Sequence, residues 1–322
     1  MEKLLINSPA RLHLGFLDLN NASERNFGSL GLAVNNFKTI IEAEPSKKFL
    51  ITGNDKKKVQ QIVDVFKTKY DFLPCRINII ESIPEHIGLG SGTQLALSIG
   101  TLLSKLSNLK VKVNDLARTG NRGNRSSIGI NCFKSGGFIV DAGKKIGSNK
   151  LSPVIFKHKW PKDWGIILLT DKKKLGIHGK IEKREFNQIF KEKKRIQYEN
   201  YEALVTKIIP SIIENDFDSF SSGINLIQKN TGKSFFTAQG GQFTSKCVEN
   251  IFNKLEKIGI QGYGQTSWGP TGFIFCKNKI EKKKIIEYLM NEIKKNNFSF
   301  IDIFDVKGRN HGHYLRKANC LV

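Results

Sequence analysis

The chain has 322 residues, of which 39% are hydrophobic, and its 52 Lys and Arg against 29 Asp and Glu give a formal net charge of +23. This apolar content suffices for a full core and excludes a chain that is disordered throughout. No apolar stretch approaches the roughly 20 residues needed to cross a bilayer, so we expect no membrane span.

Short strand-like and helix-like segments alternate in the first half of the chain. Apolar residues recur at helical spacing at 57–69 and 93–106, which predicts two helices. Gly136 and Gly137 followed by an apolar run indicate a turn into a strand at 138–140. The other predicted strands are 4–6, 12–17, 34–43, 49–52 and 76–82.

The second half opens with a buried-looking strand at 164–170. The same pattern reading predicts helices at 182–196, 198–214, 216–229, 244–258 and 280–295, and strands at 262–267, 272–276 and 298–306. The mixture favours the α+β class. No long linker separates the halves, so we expect an N-terminal domain at 1–165 and a closely packed C-terminal domain at 166–322.

The basic excess consists mostly of lysine, since the sequence contains 42 Lys and 10 Arg. Planar, bidentate recognition of phosphate or guanine favours Arg, whereas Lys-rich runs such as 172–195 and 277–295 are typical of solvated helix surfaces. We therefore expect no nucleic-acid partner. A nucleic-acid-binding protein stays an alternative, and it predicts an affinity that falls steeply with salt.

The five cysteines are scattered and contain no CxxC pair. This pattern favours a reducing compartment over a disulfide framework or a zinc module. The N-terminus also lacks the long apolar centre and the cleavage site of a secretory signal. The expected location is the cytoplasm.

The sharpest local feature is the sequence PEHIGLGSGT at 84–93, between a predicted strand and a predicted helix. Its glycines allow a tight turn and close approach of a ligand, and the start of the helix directs N–H groups and the helix dipole at one point. The pattern is neither a Walker A loop nor a dinucleotide fingerprint. An unliganded turn is the alternative to a phosphate or diphosphate site. The candidate binding residues are Gly88, Leu89, Gly90, Ser91, Gly92 and Thr93.

Three motifs, in this order, resemble those of the GHMP kinase superfamily, which includes galactokinase, homoserine kinase and mevalonate kinase. They are SPARLHLG at 8–15, the loop at 84–93 and GYGQTSWGPTG at 262–272. The resemblance implies a two-domain fold, with an N-terminal domain of the ribosomal protein S5 domain 2-like type and a C-terminal α/β sandwich. The strings FGSLGLAV, SSIGINCFKSGGFIVDAG and GIHGKIEKREF add a finer resemblance, to the β-ribofuranosylaminobenzene 5′-phosphate synthase family.

The synthase resemblance implies a decarboxylating condensation of 5-phosphoribosyl 1-diphosphate with 4-aminobenzoate or 4-hydroxybenzoate, a step of methanopterin biosynthesis. It also implies small-molecule partners and a homodimer, and departure of diphosphate calls for Mg²⁺. An ATP-dependent GHMP-type kinase is the alternative. Gly92 replaces a serine that helps such kinases hold Mg²⁺, and Asn131 stands where many have a catalytic aspartate. An amide cannot accept a proton from an alcohol, so both residues count against a kinase.

Arginines near the motifs are candidates for the 5-phosphate or the benzoate carboxylate, because the guanidinium fork matches both. These are Arg11, Arg122 and Arg125. Arg11 and His13 alternate with leucines, so they share one strand face, which is either a cleft or solvent.

The remaining candidates each have a simpler interpretation. Asp18 and Arg25 bracket a turn, where they either pair at the surface or hold Mg²⁺ or phosphate. His178 follows Gly176 and Ile177 in a loop, as a turn residue or a catalytic group. The third motif supplies the predicted substrate residues Ser267, Trp268 and Gly269, with the indole either stacking on the aromatic acid or packing in the core. The predicted catalytic residues are Arg11, His13, Asp18 and His178.

Overall fold

The computed structural model describes residues 2–19, 24–177, 179–189 and 195–318. Its strands are β1 (Leu4–Phe16), β2 (Arg25–Asn26), β3 (Ser29–Pro45), β4 (Leu50–Gly53), β5 (Cys75–Glu81), β6 (Phe138–Asp141), β7 (Lys144–Lys145), β8 (Val154–His158), β9 (Gly165–Asp171), β10 (Tyr263–Gln265), β11 (Gly272–Cys276), β12 (Ile301–Val306) and β13 (Tyr314–Lys317).

The helices occur in runs between groups of strands, which confirms the α+β prediction. They are α1 (Lys56–Lys67), α2 (Ser91–Leu106), α3 (Val113–Thr119), α4 (Ile128–Ser135), α5 (Gly179–Ile189), α6 (Arg195–Ala203), α7 (Ile209–Glu214), α8 (Phe217–Gln239), α9 (Lys246–Lys257) and α10 (Lys279–Lys295), with a π-helical segment, Leu204–Ile208, before α7. Of the helices in the described ranges, none has the length and apolar composition that a bilayer-spanning helix needs.

A large sheet carries most of the first half. Its strand order is β13-β1-β3-β5-β4, and β6 pairs with the first part of β3 and with β8. The β4–β5 pair is parallel and is connected through α1, whereas the other pairs in this sheet are antiparallel. A smaller sheet, β10-β11-β9-β12, carries the second half.

The pairing of β1 with β3 shifts between Pro9, which pairs with Lys38, and Ala10, which pairs with Val34, so that three extra residues, 35–37, lie in β3. Before this register shift, Ile6 packs into a core beneath α1 and α2, and after it, Leu12 packs into a different core on the opposite face. Ile6 and Leu12 are an even number of residues apart and would share one face of a regular strand, so the alternation of side chains in β1 is broken at the register shift. Arg11 thereby lies on the side of α2, where its guanidinium contacts the glycine-rich loop.

The two halves of the chain share one hydrophobic core. Leu12 and Leu32 of the large sheet pack with Phe273 of β11 and with Phe220 and Ile224 of α8, all fully buried. Burial of each such side chain contributes about 1.5–3 kcal/mol. This agrees with the expected close packing, and the predicted boundary at 165/166, which falls at the start of β9, stays a prediction.

Several elements differ from the sequence prediction. Helices α3 and α4 were not predicted, because seven and eight residues are too few to show a helical period. The predicted helix 198–214 consists of α6, the π-helical segment and α7. Part of the predicted helix 182–196 lies outside the described residues.

Candidate active site

The three sequence motifs meet at one cleft with two adjoining lobes. The loop lobe, with a volume of about 420 Å³, is bounded by the glycine-rich loop. The aromatic lobe, about 400 Å³, is bounded by Phe16, Phe186, Phe235 and Trp268. Both lobes are lined by Arg11, Thr93, Arg122, Gly179, Glu182, Ser267 and Trp268.

The glycine-rich loop turns into α2 at Ser91. Gly88 and Gly90 both have φ of 82°, and a Cβ on Gly88 would lie 2.3 Å from the carbonyl oxygen of Thr266. No side chain caps α2 and its first turn has no acidic residue, so its N–H groups and the positive end of its dipole are available to an anion. Leu89 is buried and contributes its carbonyl, which accepts a hydrogen bond from the Arg11 backbone N–H at 3.1 Å.

Two partly buried guanidinium groups flank this helix end. Arg11 donates from Nη1 to the Gly88 carbonyl at 2.6 Å, and burial lowers its pKa to about 10. Arg122 lies against Gly92, its buried Nε has no hydrogen-bond partner among the described residues, and burial lowers its pKa too. Within the described ranges neither arginine forms an ion pair. Since a desolvated, unpaired charge is costly, this arrangement favours an anionic ligand.

Arg125 differs from the other two arginines because it has an acidic partner. Its Nη1 lies 2.6 Å from Oε1 of Glu182, and its guanidinium lies over the Phe186 ring, 4.1 Å from the centroid. Glu182 also accepts a hydrogen bond from Trp268 Nε1 at 3.2 Å. The lining therefore combines three guanidinium groups with one carboxylate, a net positive charge.

Residues 121–126 form the arginine segment, which carries Arg122 and Arg125 and is anchored by Asp141. The Asp141 carboxylate is fully buried and accepts hydrogen bonds from the N–H and Oγ of Ser127, from Ser29 Oγ and from the Gly143 N–H. Burial raises its pKa to about 6, although these donors oppose the shift. The contacts fix the end of the arginine segment against β6.

The aromatic lobe is bounded on one side by a cluster of buried rings. Phe235 and Trp268 lie 4.3 Å apart at their centroids, and Phe186 meets Trp268 edge-on at 5.4 Å. Phe16 completes the cluster, with its centroid 6.0 Å from that of Phe235. Because these rings pack on one another, a planar aromatic ligand would lie against the cluster and not between its members.

His13 forms part of the wall of the aromatic lobe. Its side chain is 4% exposed, its ring lies 4.4 Å from that of Phe16, and within the described part of the chain its buried Nε2 has no hydrogen-bond partner. Burial, and secondly the charge of Arg11, holds its pKa well below the ordinary value. The imidazole is therefore neutral at physiological pH and has a ring nitrogen available to a ligand.

We expect His13 to make the protein sensitive to acid. A lowered folded-state pKa stabilises the protein above about pH 6.5, the unfolded value, and this contribution is lost as the pH falls below it. His13→Gln should therefore flatten the pH dependence of the free energy of unfolding below pH 6.5, measured by urea denaturation from pH 5 to pH 8. His158→Gln, at an exposed hydrogen bond, is the control, and equal slopes for the two variants would contradict this role.

Asp18 and Arg25 do not line the cleft. Asp18 is 1% exposed and accepts a hydrogen bond from Gln197 Nε2 at 2.5 Å, so the interpretation as a surface residue is wrong. Arg25 donates to the Gly143 carbonyl at 3.1 Å on the β2–β7 ribbon. Their roles toward Mg²⁺ or phosphate stay predictions.

Two further sequence expectations concern His178 and Asn131. His178 lies outside the described residues, while its neighbour Ile177 lines the loop lobe. Asn131 does not line either lobe, and its Nδ2 donates to the carbonyl and Oγ of Ser127 at 2.9 and 3.0 Å. A carboxylate at this position could not make these two donations.

A family model described as the N-terminal domain of GHMP kinases matches residues 57–139. Among solved structures, mevalonate diphosphate decarboxylase from Staphylococcus aureus has a TM-score of 0.68 at 13% identity, covering 98% of each chain. Phosphomevalonate kinase from Streptococcus pneumoniae also has a TM-score of 0.68, at 11% identity, covering 96% of this chain and 100% of that one. The predicted GHMP-kinase-like fold is confirmed, and these similarities show the fold alone.

A curated protein from Methanocaldococcus jannaschii, named beta-ribofuranosylphenol 5′-phosphate synthase, is 30% identical over 344 residues, which cover 96% of this chain and 99% of that protein. This chain belongs to the beta-ribofuranosylphenol 5′-phosphate synthase family. A relative of the same name from Methanothermobacter thermautotrophicus is 29% identical over 303 residues, covering 86% and 90% of the two chains. The predicted family and the prediction of an enzyme are both confirmed.

In this member of the synthase family, several residues that line the cleft were not predicted from the sequence. Glu182 and Phe186 come from α5 and Phe235 comes from α8, outside the glycine-rich motifs. Their spacing resembles that of ordinary amphipathic helices. The signal that could have found Glu182 and Phe186 is the string GIHGKIEKREF, which carries both.

The described residues of the synthase-family cleft do not form a magnesium site of their own. Within the described ranges, no three His, Cys, Asp or Glu side chains are grouped to hold a metal ion. The acidic residue among the described lining residues is Glu182, which already binds Arg125 and Trp268. Arginines repel a cation, so these residues suit phosphate groups and not a bare metal ion.

Proposed function

We propose that the chain condenses 5-phosphoribosyl 1-diphosphate with 4-hydroxybenzoate to give β-ribofuranosylphenol 5′-phosphate, CO₂ and diphosphate. The observation that carries the proposal is one cleft that joins guanidinium groups without a described acidic partner, at a helix N-terminus, to a wall of packed aromatic rings. An anionic, phosphorylated substrate and a planar aromatic substrate would meet where the two lobes join.

The loop lobe would receive the diphosphate. When the bond between ribose C1 and the diphosphate oxygen breaks, its electron pair stays on the leaving group, and negative charge grows there. Arg11, Arg122 and the first residues of α2 line this lobe, which supports their assignment to the diphosphate. Such preorganised donors lower the barrier because they stabilise charge as it develops.

The aromatic lobe would hold the benzoate ring against the cluster formed by Phe186, Phe235 and Trp268. The ring carbon that bears the carboxylate attacks ribose C1 and forms the new C–C bond. Loss of CO₂ then returns the electron pair of the broken bond to the ring, so no strong general base is required. This is consistent with a neutral His13 and with the absence of a catalytic aspartate at Asn131.

The choice of 4-hydroxybenzoate over 4-aminobenzoate rests on the phenol in the names of the relatives. The buried Nε2 of His13 offers a hydrogen bond to a polar group in the aromatic lobe. Mg²⁺ would enter on the diphosphate, bound by phosphate oxygens and water, as is usual for this ion. A homodimer, testable by sedimentation, and a place in methanopterin biosynthesis complete the proposal.

The test supplies 5-phosphoribosyl 1-diphosphate, Mg²⁺ and carboxyl-labelled 4-hydroxybenzoate without ATP. We expect labelled CO₂ and diphosphate to be released in equal amounts, with a C-riboside as product. A parallel reaction replaces 4-hydroxybenzoate with 4-aminobenzoate. A second one replaces both substrates with ATP and small alcohols. Failure to release CO₂ and diphosphate with either benzoate would overturn the proposal, and ADP formation would indicate a kinase.

A further inference from the structure

We propose that Gly92 and Arg122 form a selectivity pair. Because position 92 has no side chain, the Arg122 guanidinium can lie against the first turn of α2. There it creates the binding place for the second phosphate of a diphosphate. The inference deepens the proposed function and rests on it. It assigns recognition of a diphosphate, as opposed to a single phosphate, to two residues.

The need for glycine at position 92 is not conformational. Gly88 and Gly90 have positive φ, which favours glycine, whereas Gly92 does not. Glycine destabilises a helix relative to alanine, so its presence in the first turn of α2 calls for another reason.

That reason is the space occupied by Arg122. A Cβ on Gly92 would lie 3.1 Å from Nη1, 3.5 Å from Cζ and 3.5 Å from Nη2 of Arg122. These similar distances show that the guanidinium group lies across the glycine. An alanine would displace it slightly, and the hydroxyl of a serine would compete with it for the same space.

Arg122 reaches this position from a fixed backbone. Its N–H donates to the Ala117 carbonyl at 2.7 Å, and Asp141 anchors the other end of the arginine segment. Within the described part of the chain no carboxylate pairs with its guanidinium, and its buried Nε lacks a partner. The guanidinium group of Arg122 is therefore held in place by its backbone, is partly buried and has no described acidic partner. This combination indicates that a ligand completes the site.

The placement of the two arginines suits two linked phosphates. Arg11 lies on the Gly90 side of the helix start, where its Nε is 3.2 Å from the position of a Cβ on Gly90, and Arg122 lies on the Gly92 side. One phosphate group can contact Arg11 and the helix N–H groups, while the group joined to it contacts Arg122. A single phosphate needs the first of these places only.

The test measures binding of inorganic diphosphate and of inorganic phosphate by calorimetry, using the full-length wild type, Gly92→Ser, Arg122→Ala and the double variant. We expect each single change to weaken diphosphate binding by about 10-fold and to leave phosphate binding unchanged. The double variant should bind diphosphate no worse than Arg122→Ala, because both changes remove the same contact. Arg118→Ala, an exposed arginine paired with Asp115, controls for net charge.

Additive losses in the double variant, or equal losses for phosphate and diphosphate, would overturn the selectivity pair. Gly92→Ala favours the helix and guards against misfolding of the serine variant, and it should show a smaller loss with the same coupling to Arg122. Binding is measured without turnover, so the two proposals fail separately. If the losses in the single variants are not additive but the protein has no synthase activity, the proposed function alone is refuted. If the losses are additive and the protein is an active synthase, the selectivity pair alone is refuted.

Discussion

Replacing Arg11 with alanine is expected to lower kcat/KM for 5-phosphoribosyl 1-diphosphate by roughly 100-fold. The partly buried guanidinium would make two charge-assisted hydrogen bonds to the diphosphate, each contributing about 1.5 kcal/mol or more. Their sum of about 3 kcal/mol corresponds to two factors of ten in rate. Steady-state release of CO₂ at several concentrations of the diphosphate measures the effect.

Two variants make the Arg11 result interpretable. Arg11→Lys keeps the charge but not the fork that reaches both the Gly88 carbonyl and a phosphate, so it should recover a minor part of the activity. Arg118→Ala removes an exposed positive charge and should leave kcat/KM unchanged. If Arg11→Ala retained wild-type kcat/KM with intact folding, Arg11 would not contact the substrate.

Replacing Asp141 with alanine is expected to destabilise the protein by about 3 kcal/mol, because the buried N–H groups of Ser127 and Gly143 lose their acceptor, at about 1–3 kcal/mol for each group. Urea denaturation at pH 8, above the pKa of about 6 that burial gives this carboxyl, measures the change. The variant should also lose synthase activity under conditions where it is folded, because the arginine segment loses its anchor.

Asp141→Asn separates these effects. The N–H of Ser127 donates to Oδ2 and that of Gly143 to Oδ1, so the single oxygen of the amide keeps an acceptor for one of the two N–H groups. The loss of stability should therefore be smaller than for alanine. Asp115→Ala, at an exposed ion pair with Arg118, should change little. An Asp141→Ala protein as stable as the wild type would show that solvent or other side chains satisfy these donors.

The sequence predicted best those features whose backbone conformation is determined by residues close together in the chain. The glycine-rich loop forms because Gly88 and Gly90 supply positive φ before an amphipathic helix, and α2 begins within the predicted loop at Ser91. Strand β11 has the predicted bounds because a continuous apolar run between a glycine and a charged segment has few alternatives. The motif order predicted the GHMP-kinase-like fold, and the three motifs meet at one cleft.

What the sequence did not predict depends on contacts between distant residues. Glu182 can be recognised as a cleft residue only in the folded chain, where α5 places it beside Arg125 and Trp268, which are 57 and 86 residues away in the sequence. Asp18 was interpreted from its turn, but Gln197, 179 residues away, covers it. Asp141 ends a short strand, and no local pattern indicates that it anchors the arginine segment.

The register shift between β1 and β3 decides which side chains of β1 face the cleft. The same strand contributes Ile6 to one core and Leu12 to another, and the break in its alternation at the shift directs Arg11 toward the cleft. Deleting one residue of β1 between Ile6 and Arg11 would reverse the alternation after it and would turn leucines toward the loop and the arginine into the apolar core. Transfer of the Arg11 motif into another GHMP scaffold therefore requires the count of residues before it as well as their identity.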